Sequence, residues 1–282
     1  MAKIAEKRIL TPITKLFRVE APLIANAAQP GQFVIVRVRE GGERIPLTIA
    51  DYDRASGLVT IIVQEVGATT RRLGALEAGQ EILDIVGPLG NPVQIPPGGH
   101  VAGVGGGFGA AALLCLMRSL TERGDKTTII IGARRKDLLL LVDELRAVCR
   151  NLELCTDDGS LGFKGFVTER LKQLIDGDGP GRPDHVVAIG PMPMMRAVAE
   201  TTRPAKIPTL VSLDPLMIDG TGMCGGCRVT VDGQVKFACV DGPCFDAHQV
   251  DYEEALRRSK MYAREQEIAA ARQAAGGAAD AH

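Results

Sequence analysis

The feature that most constrains this chain is a group of cysteines towards its C-terminal end. Asp219, Cys224 and Cys227 have the spacing Asp-x4-Cys-x2-Cys, and Cys239 follows after a further eleven residues. A Cys-x4-Cys-x2-Cys run followed by a distant cysteine is typical of one kind of 2Fe–2S site, so Asp219 stands where the first thiolate is expected. The segment 229–237 alternates like a strand, turns at Asp-Gly and returns, so a hairpin would carry Cys239 back to the loop. The segment predicts a 2Fe–2S site formed by these four residues.

Other sites also fit the same residues. Three cysteines and a carboxylate can bind zinc, a Cys-x2-Cys pair can act as a redox dithiol, and free cysteines are often simply buried. Cys244 competes with Asp219 for the fourth position, because Cys239-x4-Cys244 would form the second knuckle of a zinc site. The spacing leaves the fourth ligand open.

The region before residue 98 shows the pattern of a small antiparallel β-barrel. Short apolar runs at 33–38, 58–63 and 81–86 are separated by turn-forming pairs that contain glycine or proline. One helix is expected in this region, from Thr69 to Leu76.

The pattern changes after the run Pro96-Pro97-Gly98-Gly99, where strands begin to alternate with helices. Strands are expected at 101–104, 127–132, 152–156 and 186–190, and helices at 110–123, 137–149 and 166–175. Such alternation predicts a parallel, Rossmann-like α/β sheet with helices on both faces. The expected division is therefore a barrel at 1–98, an α/β domain at 99–212, a cysteine subdomain at 213–250, and a charged helix with a frayed tail at 251–282, the helix running from Tyr252 to about Arg272.

Composition excludes several classes of protein. A formal net charge of −1 gives no reason to expect nucleic acid as a partner. No apolar run reaches the ~20 residues that a membrane span needs, so no membrane insertion is expected. The seven cysteines show no small-domain disulfide pattern, which indicates a reducing, cytoplasmic setting.

A glycine cluster opens the α/β region. Glycines between a strand and a helix let a pyrophosphate approach backbone N–H groups and the positive end of the helix. The cluster departs from the G-x-G-x-x-G pattern, and Arg134-Arg135 follows the next strand where an acidic residue is common. Later strand-end loops would line the same crevice. The candidate nucleotide-binding residues are Gly105, Gly106, Gly107, Gly109, Arg134, Asp157, Asp158, Gly190, Pro191 and Met194.

A second candidate site lies in the barrel region. One cation, several hydroxyls and a helix that starts at a glycine could hold a diphosphate, with an exposed strand facing a flat ring. Each stretch alone is an ordinary strand or turn. The residues concerned are Arg44, Pro46, Leu47, Thr48, Gln64, Gly67, Thr69 and Thr70.

Taken together, these three stretches resemble the ferredoxin–NADP reductase superfamily and, more narrowly, the electron-transfer subunit of dihydroorotate dehydrogenase type B and its relatives. The most specific part is Asp219 to Cys227 with the Phe-Ala-Cys-Val-Asp-Gly-Pro segment at 237–243. The resemblance implies FAD at the barrel motif, NAD(H) at the glycine loop and a 2Fe–2S cluster at Asp219, Cys224, Cys227 and Cys239. An aspartate in place of the first cysteine looks like the branch formed by the small subunits of NADH-dependent reduced ferredoxin:NADP oxidoreductase, also described as sulfide dehydrogenase subunits.

The resemblance implies a flavin and iron–sulfur electron-transfer subunit, an oxidoreductase without acid–base catalytic residues of its own. The expected partner is a larger, NADP-binding flavin and iron–sulfur subunit in a heterodimer that bifurcates electrons, with ferredoxin served indirectly. NAD(H) is expected over NADP(H). The alternatives are the electron-transfer subunit of dihydroorotate dehydrogenase or sulfide dehydrogenase and, from another class, a zinc-bearing nucleotide-binding interaction module.

Overall fold

The N-terminal half of the chain forms a curled antiparallel sheet. The structure is a computed structural model that describes residues 1–262, 264–265, 268 and 271. Seven strands follow the order β6-β1-β2-β5-β4-β3-β7, and all of their pairings are antiparallel. This half-barrel confirms the antiparallel barrel predicted from the short apolar runs. The strands are β1 (Ala2–Thr11), β2 (Thr14–Glu20), β3 (Phe33–Arg37), β4 (Arg44–Asp53), β5 (Leu58–Gln64), β6 (Glu81–Ile82) and β7 (Asp84–Leu89).

The second sheet is parallel except at one edge. Its order is β11-β10-β9-β8-β12-β13-β16, and only β16 runs antiparallel to its neighbour. The alternation of strands and helices in the sequence therefore predicted the correct architecture. The strands are β8 (His100–Gly106), β9 (Lys126–Ala133), β10 (Asn151–Thr156), β11 (Phe163–Lys164), β12 (His185–Ile189), β13 (Thr209–Ser212) and β16 (Cys244–Asp246).

A separate two-stranded hairpin lies between β13 and β16 along the chain. Strands β14 (Arg228–Val231) and β15 (Gln234–Phe237) pair antiparallel. Asp232 and Gly233 form the turn with φ values of 52° and 68°, the left-handed pair that suits a tight hairpin. The predicted hairpin is confirmed.

Seven α-helices have both ends within the described residues. They are α1 (Pro22–Ala27), α2 (Ala68–Gly74), α3 (Ala110–Arg123), α4 (Val142–Val148), α5 (Val167–Ile175), α6 (Met192–Thr202) and α7 (Tyr252–Ser259). None of these helices has the length and apolar character that crossing a lipid bilayer requires.

The helices depart from the sequence predictions in four places. Helix α1 was not predicted, because six residues are too few to display a helical period. The helix predicted at 137–149 begins only at Val142, since Leu141 has a φ of 55° and interrupts it. Helix α6 was not predicted either, and its first turn, Met192 to Met194, was expected to be a strand-end loop. The predicted C-terminal helix is present as α7 to Ser259, while its expected end at Arg272 and the tail at 275–282 lie outside the described residues.

The cysteine segment packs on both sheets. Cys227 and Cys239 belong to one buried apolar cluster that also contains Phe33 and Ile35 of the half-barrel and Val211 of the second sheet. Strand β16, which lies in the predicted cysteine subdomain, completes the edge of the second sheet by pairing with β13. The segment is therefore joined to the rest of the fold by a shared core.

Helix α3 joins the half-barrel to the second sheet. Arg118 on α3 contacts both carboxylate oxygens of Asp51 on β4, with N–O distances of 2.8 and 2.6 Å. Its guanidinium also lies 5.6 Å from the centre of the Tyr52 ring. Burial raises the pKa of Asp51 above its ordinary value, although Arg118 acts in the opposite direction. The helix that follows the glycine loop is thus fastened to the strand that begins with Arg44.

Candidate functional site

A cleft of about 440 Å³ lies where the half-barrel meets the carboxyl ends of the parallel strands. This is the position at which open α/β sheets bind their ligands. Seven of the predicted site residues line it, namely Gln64, Gly106, Gly107, Arg134, Asp157, Pro191 and Met194.

The glycine loop at the floor of this cleft depends on the absence of side chains. A Cβ at Gly109 would lie 2.0 Å from the carbonyl oxygen of Ile189, and a Cβ at Gly106 would lie 2.5 Å from the sulfur of Met194. Gly107 has a φ of 52° and open space around it. The loop therefore packs backbone against backbone on one side and leaves Gly107 free to approach a ligand on the other.

The remaining glycines of this group have packing roles. Gly105 is buried beneath α3, where a Cβ would lie 3.0 Å from Leu113. A Cβ at Gly190 would lie 3.0 Å from the backbone nitrogen of Gly106. These two residues shape the loops without lining the cleft.

Charged residues at the strand ends take different positions. Arg134 and Asp157 are exposed and line the cleft. Arg135 pairs with Asp137 at 2.9 Å. Asp158 accepts a hydrogen bond from the Ser160 N–H at 2.9 Å and lies outside the cleft lining. Of the predicted pair Arg134-Arg135, only Arg134 faces the space where a nucleotide would lie.

The barrel motif lies along the first half of β4. Arg44 is exposed and has no ion pair or side-chain hydrogen bond within the described residues, whereas Leu47 is buried in the half-barrel core. Pro46 and Thr48 are half-buried, and their partners on β3 are Ile35 and Phe33. The strand thus presents an unpaired cation beside a partly open edge.

The helix start after β5 is already internally bonded. Gly67 precedes α2, and its N–H donates to the Thr70 hydroxyl at 2.9 Å. The buried Thr69 hydroxyl donates to Glu43 at 2.7 Å. These contacts fix the turn between Gln64 and α2 next to the end of β4 that carries Arg44.

The four predicted metal ligands meet as two pairs. The Cys224 sulfur lies 3.2 Å from the Asp219 carboxylate, and the Cys227 sulfur lies 3.2 Å from the Cys239 sulfur. The first pair is in the exposed part of the loop, and the second is buried. Hairpin β14–β15 brings Cys239 back to Cys227, so the second pair follows from the predicted turn.

Proton affinities differ between the two pairs. Burial disfavours ionisation of Asp219, but hydrogen bonds from Cys224, Thr221 and the Met223 N–H outweigh it and hold its pKa at about 2. Burial raises the pKa of the Cys239 thiol to about 12, and the neighbouring Cys227 adds to this. Metal binding must therefore displace a proton from Cys239, while Asp219 is ready as an anionic oxygen donor.

The division of the four donors into two pairs favours a 2Fe–2S cluster over a single zinc ion. Zinc requires about four donors around one ion, and within the described residues no group of three His, Cys, Asp or Glu side chains could hold a single ion. A 2Fe–2S cluster has two irons, each of which takes two protein ligands. Two separate donor pairs, one with a hard carboxylate and one with thiols alone, fit that arrangement.

Cys244 lies apart from this loop in the secondary structure. It is the first residue of β16, where it pairs with Ser212 of β13. Burial raises the pKa of its thiol to about 11. A residue built into a sheet edge in this way already has a structural role, which favours Asp219 as the fourth donor.

Several cleft residues could not be recognised in the sequence. Thr11, Ile13 and Thr14 come from the β1–β2 turn, Phe108 follows β8, and Phe166 immediately precedes α5. Phe166 is 62% exposed, and the signal available in the sequence was an aromatic residue at the start of the helix predicted at 166–175. Nothing in the sequence around Thr11 and Thr14 indicates that they line a cleft.

Comparison with known proteins agrees with this architecture. Residues 214–251 match the iron–sulfur cluster binding domain of dihydroorotate dehydrogenase B. A ferredoxin NADP⁺ reductase from Neisseria gonorrhoeae, solved with bound FAD and NADP, shares the fold at a TM-score of 0.58 and 16% identity, over 72% of this chain and 89% of that one. The half-barrel, the parallel sheet and the cysteine segment define a ferredoxin-reductase-like oxidoreductase.

More similar proteins identify the family. The dihydroorotate dehydrogenase B electron transfer subunit homolog of Thermotoga maritima is 48% identical over 89% of this chain and 87% of its own length. A structure described as the NADH-dependent reduced ferredoxin-NADP oxidoreductase, solved for insight into flavin-based electron bifurcation, superimposes with a TM-score of 0.90 at 44% identity and covers 97% of both chains. The chain belongs to the family of dihydroorotate dehydrogenase B-type electron-transfer subunits.

Proposed function

We propose that this chain carries electrons between NAD(H), FAD and a 2Fe–2S cluster as the small subunit of a larger complex. Residues 1–98 would hold the flavin, 99–212 the nucleotide and 213–250 the cluster, with α7 following the cluster segment. The likeness to the NADH-dependent reduced ferredoxin-NADP oxidoreductase favours a bifurcating complex over dihydroorotate oxidation. The carboxylate in the ligand set, Asp219, agrees with that branch.

The observation that carries the proposal is the contact between the cluster loop and the flavin strand. A Cβ at Gly220 would lie 2.8 Å from Ile35 and 2.9 Å from Leu89, so the loop backbone rests directly on β3 and β7. Ile35 is in turn the β-ladder partner of Pro46 in the barrel motif. The Ile35 side chain therefore lies between the ligand loop and the flavin strand, and we propose that electrons pass within the chain at this contact.

Residues of the cleft, together with the barrel motif that lies outside its lining, would orient the two nucleotides. Arg44 supplies a free positive charge for the flavin diphosphate, and the Thr48 and Gln64 side chains lie at the open edge. Gly107 and the start of α3 would receive the pyrophosphate of NAD(H), because backbone N–H groups there have no intrahelical acceptor. A flavin held there would supply hydride acceptance from a nicotinamide and one-electron transfer onward.

The cysteine loop would hold the cluster through its two donor pairs. Asp219 and Cys224 would bind one iron and Cys227 and Cys239 the other. The N–H of Gly226 already points at the Cys224 sulfur at 3.4 Å, and such hydrogen bonds stabilise thiolate ligands. The carboxylate also changes the charge of the site and with it the reduction potential.

The surface around the loop supports a protein partner. Met223, at the tip of the ligand loop, is 89% exposed, and Ile218, Leu216 and Val240 are exposed beside it. A patch of large apolar side chains around a redox loop is the kind of surface that a protein interface covers. The partner proposed is the larger, NADP-binding flavin and iron–sulfur subunit, through which ferredoxin would be served.

Arg134 bears on the choice of nucleotide. A free arginine at the end of β9 is positioned to meet a 2′-phosphate, whereas the family branch favours NAD(H). We propose that NAD(H) is the preferred donor and that Arg134 contacts its adenosine ribose. Rates of flavin reduction by NADH and NADPH test this, and faster reduction by NADPH would overturn it.

Analysis of the purified chain tests the cofactor content. Protein prepared without oxygen should carry about one FAD and two irons per chain. Zinc in place of iron, with a colourless protein, would instead favour the nucleotide-binding interaction module. Arg44→Ala separates the sites, since it should release flavin and leave iron in place.

A further inference from the structure

Arg258 connects the C-terminal helix to the cluster loop. It lies in the last turn of α7, and its Nη2 donates to the carbonyl oxygen of Gly226 at 3.1 Å. Gly226 stands between the proposed ligands Cys224 and Cys227, and its own N–H faces the Cys224 sulfur at 3.4 Å. Gly226 therefore accepts a hydrogen bond from Arg258 through its carbonyl oxygen and directs its own N–H at the sulfur of the proposed ligand Cys224.

The guanidinium has unused hydrogen-bonding capacity. Its Nε is buried and has no hydrogen-bond partner within the described residues, and none of the carboxylates described there forms an ion pair with it. Burying a donor without a partner is unfavourable, and such groups in folded proteins call for a functional explanation. The neighbouring Arg257 differs, because it is exposed on the same turn of the helix.

We propose that Arg258 is a positioning residue that sets the reduction potential of the 2Fe–2S cluster in this chain. The inference rests on the proposed function. One-electron reduction makes the cluster more negative by one charge, and a partly buried cation nearby favours the reduced state. The bond to Gly226 also fixes the Cys224–Cys227 turn, so the Gly226 N–H stays directed at the sulfur. Arg258 therefore raises the potential both by its charge and by holding this hydrogen bond.

The test compares Arg258→Gln with the matched control Arg257→Gln in the full chain purified anaerobically with its cofactors. The midpoint potential of the cluster is read from a redox titration followed by electron paramagnetic resonance. Arg258→Gln should shift the midpoint to a more negative value, whereas Arg257→Gln should match the wild type. Arg258→Lys, which keeps the charge and loses the planar donors, should fall between the wild type and Arg258→Gln.

Three results would overturn the role of Arg258 in setting the cluster potential. Equal midpoints for Arg258→Gln and Arg257→Gln would overturn the inference, as would equal shifts in both, which indicate general surface charge. Loss of iron from both Arg258→Gln and Arg258→Lys would also overturn it, because the residue would then act only in folding of the loop. A wild-type chain without a 2Fe–2S signal would instead refute the proposed function.

Discussion

Gly109→Ala would place a methyl group against the backbone of Ile189 and Gly190 at the floor of the cleft. The new Cβ would lie 2.0 Å from the oxygen of Ile189, 2.4 Å from its carbonyl carbon and 2.8 Å from the Cα of Gly190. Ordinary contact begins at 3.4 Å, so the oxygen distance must grow by 3.4 − 2.0 = 1.4 Å. All three atoms belong to the backbone of β12 and its exit, so no side chain can turn aside. The start of α3 must therefore move away from the loop that begins at Gly190.

This displacement separates two walls of the proposed nucleotide site. A misplacement of about 1 Å can cost about 10²-fold in rate, so we expect flavin reduction at limiting NADH to slow by roughly that factor. The strain should also lower the free energy of unfolding by about 1–3 kcal/mol. Flavin and iron content should stay unchanged, because neither site contacts Gly109.

The matched control is Gly124→Ala at the other end of the same helix. Gly124 has a φ of 98° and no atom within 4 Å of a new Cβ, so the change should cost about 1–2 kcal/mol of stability through backbone strain alone. Stopped-flow absorbance measures the rate of flavin reduction in both variants. A rate of flavin reduction for Gly109→Ala equal to that for Gly124→Ala would show that the contact of Gly109 with Ile189 does not position the nucleotide site.

Three further predictions follow from named contacts. Arg118→Ala removes both bonds to Asp51 and should lower the free energy of unfolding by about 2 kcal/mol at neutral pH. Burial already raises the folded-state pKa of Asp51 and loss of the arginine raises it further, so the deficit should shrink as the pH falls through that pKa; urea unfolding that shows a pH-independent deficit contradicts this. Arg44→Ala should weaken FAD binding at least tenfold, the loss of about one charged contact, measured by fluorescence of released flavin, and retention of FAD would contradict the assignment. Cys244→Ser should leave the paramagnetic resonance spectrum of the cluster unchanged, whereas Asp219→Cys should keep a cluster with an altered potential; the reverse pattern would make Cys244 the ligand.

The sequence predicted those parts of the fold that depend on local signals. Helix α3 was bounded correctly because a glycine cluster precedes it and Gly124 takes the left-handed conformation after it. The β14–β15 hairpin followed from alternation around Asp232 and Gly233. Local patterns failed where the deciding interaction was not local, as at Leu141, which is buried in the core beside Leu140 and whose left-handed backbone interrupts the expected helix.

The parts of the site that could not be predicted involve distant residues. Asp51 and Arg118 are 67 positions apart, and nothing in either stretch indicates that they meet. The same holds for Arg258, which reaches Gly226 from 32 residues away. Spacing identified the four ligand candidates, but their division into two pairs depends on how the loop folds against Ile35 and the hairpin.

Electrons from NADH are proposed to reach the cluster within this chain. The most direct measurement adds NADH to the anaerobic, partner-free protein and follows the paramagnetic resonance signal of the reduced 2Fe–2S cluster beside the flavin absorbance. The flavin should bleach and the cluster signal should appear together, and Arg44→Ala protein that lacks flavin should show neither change although it retains iron. A cluster that dithionite reduces but NADH leaves oxidised, in protein that retains its flavin, would rule out electron transfer from NADH to the cluster within this chain.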